Sequence, residues 1–158
     1  MANIYFYKLT ADAGAAPCID GGLLSLAICK PMIRSSATEG DLIVGFAANS
    51  LHRDNRLIYA ARVTRILRNG EYYKNKCHAG RGDCIYRFRS GHFVWRSDAL
   101  HHGPKDLAHD LGNFPDYPRA NVILSTDFRY FGIAVSRDNL DGNDGGAQNV
   151  KRRPVAGL

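Results

Sequence analysis

The amino-acid sequence predicts an α+β domain, a curved mixed sheet or small open barrel of about five or six strands with two or three short helices. Apolar runs of strand length recur from Ile4-Tyr5-Phe6-Tyr7-Lys8-Leu9 to Asn121-Val122-Ile123-Leu124-Ser125-Thr126. Between them, clusters of Gly, Pro and Asn interrupt the chain so often that only short stretches can be helical. The chain has 158 residues, of which 45% are hydrophobic, enough apolar material for one core.

In chain order, Ile4 to Leu9 is nearly all apolar and reads as a strand covered on both faces. ADAGAAPCIDGG has no apolar period and reads as a surface loop, while Leu23 to Cys29 fits a strand or a helix equally. Pro31 suits the first turn of a helix, which places Met32 to Thr38 in a short helical segment. Gly40-Asp41 then turns the chain into a strand over 42–46. Leu57 to Ile66 reads as one long strand, the hairpin partner of the one before it.

Asn69-Gly70 supplies turn chemistry and NKCHAGRGDC is a longer loop. Ile85 to Arg89 alternates, with Tyr86 and Phe88 on one face, and Phe93-Val94-Trp95 is positioned to pair with it. Lys105 to Leu111 is a short helix among many breakers, and 121–126 is the last strong strand. From Arg137 onward, large apolar residues are too few to offset chain entropy. Residues 1–136 therefore read as a single globular domain and 137–158 as a flexible basic tail.

No apolar run approaches the roughly 20 residues that cross a bilayer, and the first residues lack a secretory pattern, so a cytoplasmic protein is expected. The four cysteines, Cys18, Cys29, Cys77 and Cys84, contain no CxxC pair and are expected as thiols. A formal charge of +6 makes polyanions the first partner class to consider.

Gly40-Asp41 before a strand, followed by a second strand containing Tyr59-Ala60-Ala61-Arg62-Val63, resembles the PUA-like superfamily, particularly its EVE, ASCH and YTH branches. Over most of residues 3 to 133 the sequence resembles the nucleotide modification associated domain 2 family. Three segments carry that resemblance: Leu26-Ala27-Ile28-Cys29-Lys30-Pro31-Met32-Ile33-Arg34, Gly40-Asp41-Leu42-Ile43-Val44-Gly45, and Leu124-Ser125-Thr126-Asp127-Phe128-Arg129-Tyr130-Phe131-Gly132. It implies a role in bacterial or phage-associated systems that handle modified DNA bases, with no catalytic residue to carry over. The PUA-like comparison implies a small curved sheet that holds an extruded base between aromatic rings.

Candidate nucleic-acid contacts follow from the residue types. Lys30 and Arg34, four apart, can face one side of a short helix and share a phosphate, or form an ordinary solvated basic face. Trp95, with Arg87 and Arg89 near it, suits base stacking and phosphate contact, or core filling. Ser125 and Asp127 can read a base edge while Phe128 and Tyr130 hold its face; a turn role for Asp127 is the alternative. Asp41 itself reads as a turn residue.

Cys77, His78 and Cys84, with His101, His102, His109 and Asp110, invite a zinc reading, but their spacing matches no standard finger, so neither metal nor cofactor is assigned. Cys/His pairs and Ser/His/Asp triads can be assembled from these residues on paper, but no GxSxG, Walker or GxGxxG motif supports one. The leading expectation is a domain that binds nucleic acid, most simply DNA, or a modified nucleotide. The alternative is an enzyme that installs, processes or removes a base modification, using Asp41, Asp83 or Asp127 as acid or base. A protein-interaction subunit with a basic tail is a third class.

Overall fold

The computed structural model describes residues 1–132; the expected tail over 137–158 lies outside them. Ile4–Leu9 forms β1, and Cys18–Asp20 and Leu23–Leu26 form the hairpin β2 and β3. The loop expected over ADAGAAPCIDGG thus contains a strand. Pro31–Ser36 is helix α1, with Pro at its start as expected. Leu42–Ala47 is β4 and Leu57–Arg62 is β5; they pair antiparallel, as their adjacency predicts.

The long strand expected over 57–66 is broken instead. Arg65–Leu67 is a separate strand, β6. Glu71–Lys74 is helix α2, Tyr86–Arg89 and His92–Trp95 are the hairpin β7 and β8, and Leu107–Leu111 is helix α3. Val122–Ser125 and Asp127–Tyr130 complete the described chain as β9 and β10.

Among the described residues these ten strands make two four-stranded sheets, β1-β4-β5-β10 and β2-β3-β9-β6, beside the β7-β8 hairpin. This corrects the expectation of a single sheet of five or six strands, and no barrel closes. The physical reason is a shared corner. β5 runs into β6 across Val63-Thr64, β9 runs into β10 across Thr126, and both chains change sheet together while keeping one antiparallel register. At the bend, Thr64 donates its N–H to the Leu124 carbonyl at 3.0 Å and accepts the Thr126 N–H on its hydroxyl at 3.1 Å. Ser125 Oγ closes the other side by accepting the Asp127 N–H.

The β2-β3-β9-β6 sheet is the middle layer. Leu24, Leu26 and Ile123 face one apolar cluster, together with Ile43, Ile58, Tyr59, Ala61 and Phe128 from the other sheet. Val122 and Leu124 face the opposite way, into a second cluster with Tyr72, Tyr73, Tyr86 and Phe93. β9 is consequently buried along its length. By contrast β1 is an edge strand, parallel to β4, with Ile4 and Phe6 exposed; it is not covered on both faces. Gly45 passes directly under Tyr59, where a side chain would collide with the ring, and this lets the Tyr59 hydroxyl reach Tyr7 at 2.9 Å.

Asp41 is a buried structural carboxylate at the start of β4. It accepts the Asn3 and Thr38 backbone N–H groups, both at 2.8 Å, and the Thr38 hydroxyl. These bonds, that from Asn3 foremost, hold its carboxyl below the usual Asp value. A lowered folded-state value stabilises the fold above the unfolded value of about 3.9, and that contribution is lost as pH falls through the folded value. Asp41→Asn is therefore expected to unfold at lower urea than the wild type at neutral pH, with the gap narrowing at about pH 3. A gap that stays constant with pH would contradict this account. No helix among the described residues is long and apolar enough to cross a membrane.

Candidate active site

Between β3 and α1 the chain reverses within four residues, and Cys29 and Lys30 both adopt left-handed backbone angles, φ 58° and 43°. For residues with a Cβ this conformation is disfavoured and persists where the surroundings hold it. Here the Cys29 N–H is held by Asp110 Oδ1 at 3.0 Å and the Cys29 carbonyl by Arg34 Nε at 2.7 Å. The turn aims the thiol at His102, whose own φ is 52°. Cys29 Sγ lies 3.3 Å from His102 Nε2, and His102 Nδ1 lies 2.6 Å from Asp110 Oδ2.

Asp110 is fully buried on α3, and Tyr86 from β7 donates a third hydrogen bond to its carboxylate, at 2.7 Å. Burial, then that bond, pushes the Tyr86 phenol well above its ordinary value, so it stays a donor. In the tautomer that directs Nδ1–H at Asp110, Nε2 is left as an acceptor toward the thiol. Burial, reinforced by Asp110, pushes the Cys29 thiol up, while Lys30 and Arg34 act in the opposite direction. The resting sulfur is thus a thiol, with the His102 ring beside it. Cys29 comes from the turn between β3 and α1, while His102 and Asp110 come from one segment that runs into α3.

Arg34 is the scaffold of this site. It is fully buried, and its guanidinium donates to the carbonyls of Cys29, Asp110, Arg119 and Asn121 at 2.7 to 2.8 Å. One side chain thereby ties the Cys29 turn to the helix bearing Asp110. The expected phosphate contact by Arg34 is corrected: no face of the guanidinium reaches solvent. Lys30 is half-buried, with its Nζ 4.9 Å above the Tyr7 ring.

The remaining candidates are dispersed. Arg87 and Arg89 are exposed on β7, with Arg87 3.9 Å from Asp98. Trp95 is half-buried against the tyrosine-rich cluster, and its indole N–H points to the His101 carbonyl at 3.4 Å. Ser125 is buried in the sheet corner, Asp127 pairs with Arg62 at 3.4 Å, and Phe128 belongs to the intersheet core. Tyr130 donates to Asp12 at 2.6 Å. Trp95 and the Ser125 to Tyr130 segment stand in different sheets. Asp83, offered as an acid or base, is fully buried and accepts from Ser25 and Tyr72, each at 2.6 Å, beside Arg81. Among the described residues no group of three or more His, Cys, Asp or Glu side chains could hold a metal ion.

A family model described as nucleotide modification associated domain 2 matches residues 1–139. The chain belongs to that family. Neither a curated relative nor a solved structure matches it. Within this nucleotide modification associated domain, the segment 26–34 that carried the sequence resemblance is the one that builds the Cys29 turn and supplies Arg34. Sequence reading missed this Cys29–His102–Asp110 cluster because Cys29 lies 73 residues from His102. A local signal was present: a cysteine directly before Lys-Pro at a strand-to-helix junction.

Proposed function

We propose that this nucleotide modification associated domain is a thiol-dependent acyl-transfer enzyme acting on a modified nucleotide or nucleic acid, with Cys29 as nucleophile, His102 as general base and acid, and Asp110 orienting the imidazole. The observation that carries the reading is the continuous Cys29–His102–Asp110 hydrogen-bond relay. His102 takes the thiol proton as sulfur bonds to the acyl carbon; the tetrahedral intermediate then expels its leaving group, which receives that proton. Water or an amine next gives its proton to His102, attacks the thioester and releases the acyl group, and the proton returns to sulfur. The family supports a nucleotide-linked substrate, and the +6 charge and Lys30 beside the thiol favour an anionic one. The Gly40-Asp41 turn into the β1-β4-β5-β10 sheet keeps the PUA-like comparison, and with it recognition of a modified base, as part of this reading.

An activated ester tests the chemistry without knowledge of the natural substrate. With p-nitrophenyl acetate, intact-protein and peptide mass spectrometry should find a single acetyl on Cys29, removable by hydroxylamine. His102→Ala is expected to slow its formation by about 10²–10⁴-fold. Equal labelling of Cys77, which is exposed, or an unchanged rate in His102→Ala would overturn the assignment. Nucleoside mass spectrometry after incubation with acylated or aminated nucleotides then reads the substrate class.

A further inference from the structure

Lys30 follows Cys29 directly, and its side chain serves neither the backbone nor the helix that it precedes. Its φ of 43° lies in the left-handed region, which favours Gly or Asn over a lysine. At the cap position of α1, where Ser, Asp or Asn would accept a backbone N–H, it makes no side-chain hydrogen bond. The ammonium instead lies 4.9 Å from the centroid of the Tyr7 ring, half-buried. Among the described residues Lys30 Nζ has no carboxylate or carbonyl partner. A partly desolvated ammonium with three donors is costly unless an acceptor meets it.

Tyr7, on β1, is in a similar position. Its oxygen accepts the Tyr59 hydroxyl at 2.9 Å, and the two rings meet edge to face. Its own O–H has no acceptor among the described residues. Burial pushes the Tyr7 phenol up; the Tyr59 bond opposes this, while Cys29 and Asp12 add to it, so the phenol remains a donor. Tyr7 feels Cys29, Cys29 feels Lys30, and Lys30 lies over Tyr7, so the three groups share one neighbourhood. The carboxylates near them already accept hydrogen bonds: Asp12 from Tyr130, Asp106 from the Gly103 N–H, and Asp110 from Cys29, Tyr86 and His102. Arg34 is enclosed by carbonyls.

We infer that Lys30 and Tyr7 hold a phosphate of the substrate beside Cys29, the ammonium pairing with its charge and the phenol donating to one of its oxygens. Two donors that lack acceptors call for a group that only accepts, and a phosphate oxygen meets that need with charge. A lysine suits it as a point charge, without the fork that an arginine would bring. The inference rests on the reading above for the substrate's place at Cys29, and the family's nucleotide association favours phosphate over carboxylate.

Alkylation of Cys29 by iodoacetamide, a neutral reagent that needs no acyl chemistry, reads occupancy of this site in the full chain. Inorganic phosphate at constant ionic strength is expected to slow it saturably while leaving the exposed Cys77 unaffected. Lys30→Gln should raise the half-protecting phosphate concentration roughly 10- to 150-fold, and Tyr7→Phe should raise it less. Each variant is referred to its own rate without phosphate, which cancels the change in thiol ionisation that loss of Lys30 brings. Dimethyl phosphate in a parallel series separates a backbone diester, which it mimics, from a terminal phosphate; protection by either ion supports the site. No protection of the wild type by either ion, equal protection in Lys30→Gln, or equal protection by acetate would overturn the inference. Protection without Cys29 acetylation by p-nitrophenyl acetate would remove the enzymatic reading alone, and acetylation without protection would remove this site alone.

Discussion

Arg34→Met is expected to destabilise the domain by at least about 3 kcal/mol, read as a shift in the urea midpoint. The side chain is fully buried and meets four carbonyls, those of Cys29, Asp110, Arg119 and Asn121. Each buried acceptor left without a donor costs about 1–3 kcal/mol, and methionine supplies none. The four losses are coupled, so the sum is an upper bound. Arg34→Lys keeps the charge but not the planar fork, and one ammonium cannot reach carbonyls that diverge around a guanidinium. It should fold with a smaller deficit and slowed acetylation of Cys29, because the Cys29 carbonyl loses its anchor. A wild-type midpoint in Arg34→Met would show that the carbonyls find other partners and that Arg34 is not the scaffold.

Asp110→Asn is expected to slow Cys29 acetylation at neutral pH by about 10²–10⁴-fold while changing the melting temperature far less than Arg34→Met does. The amide has nearly the same shape, so the effect lies in the protons. Asp110 accepts from Cys29 N–H, Tyr86 O–H and His102 Nδ1–H. An amide that keeps its oxygen on the Cys29 N–H turns its NH2 on Tyr86 and His102, which share the other carboxylate oxygen in the wild type, and the ring then carries its proton on Nε2, where it cannot take the thiol proton. The pH profile separates this from simple misfolding. Because burial pushes the Cys29 thiol up, unaided thiolate forms only above the usual thiol range of about 8.5. The variant should therefore recover rate in alkaline buffer, where wild-type and variant curves converge. Parallel profiles with no convergence would count against His102 as the base. Tyr86→Phe, which removes one of the three donors and leaves the base intact, should give a smaller loss of the same kind.

Local pattern was sufficient for the pieces whose formation is decided locally. Pro31 started α1 where expected, Gly40-Asp41 opened β4, and the β4-β5 and β7-β8 hairpins follow from adjacency and alternation. Residues 57–66 misled because apolar alternation continues through Val63 and Thr64. Nothing in that stretch records that β9 and β10 bend beside it and that the Thr64 hydroxyl seals the corner. β1 misled for the opposite reason: its apolar run looks like a central strand, yet in the fold it is an edge whose Ile4 and Phe6 meet solvent.

By itself the sequence determined the family, the mixed α+β class and the start of α1 at Pro31. Only the tertiary structure decided which groups meet at the turn between β3 and α1. Arg34 and Lys30 read alike in sequence as cations near a helix start, but an arginine's character depends on what surrounds it. Four carbonyls from three segments close around Arg34, while Lys30 stays over Tyr7 at the surface. His102 and Asp110 read as loop and helix residues among many, because the thiol that meets them belongs to Cys29, 73 residues from His102. That meeting is set when α3 and the β7-β8 hairpin pack on the middle sheet, a step that no local spacing encodes.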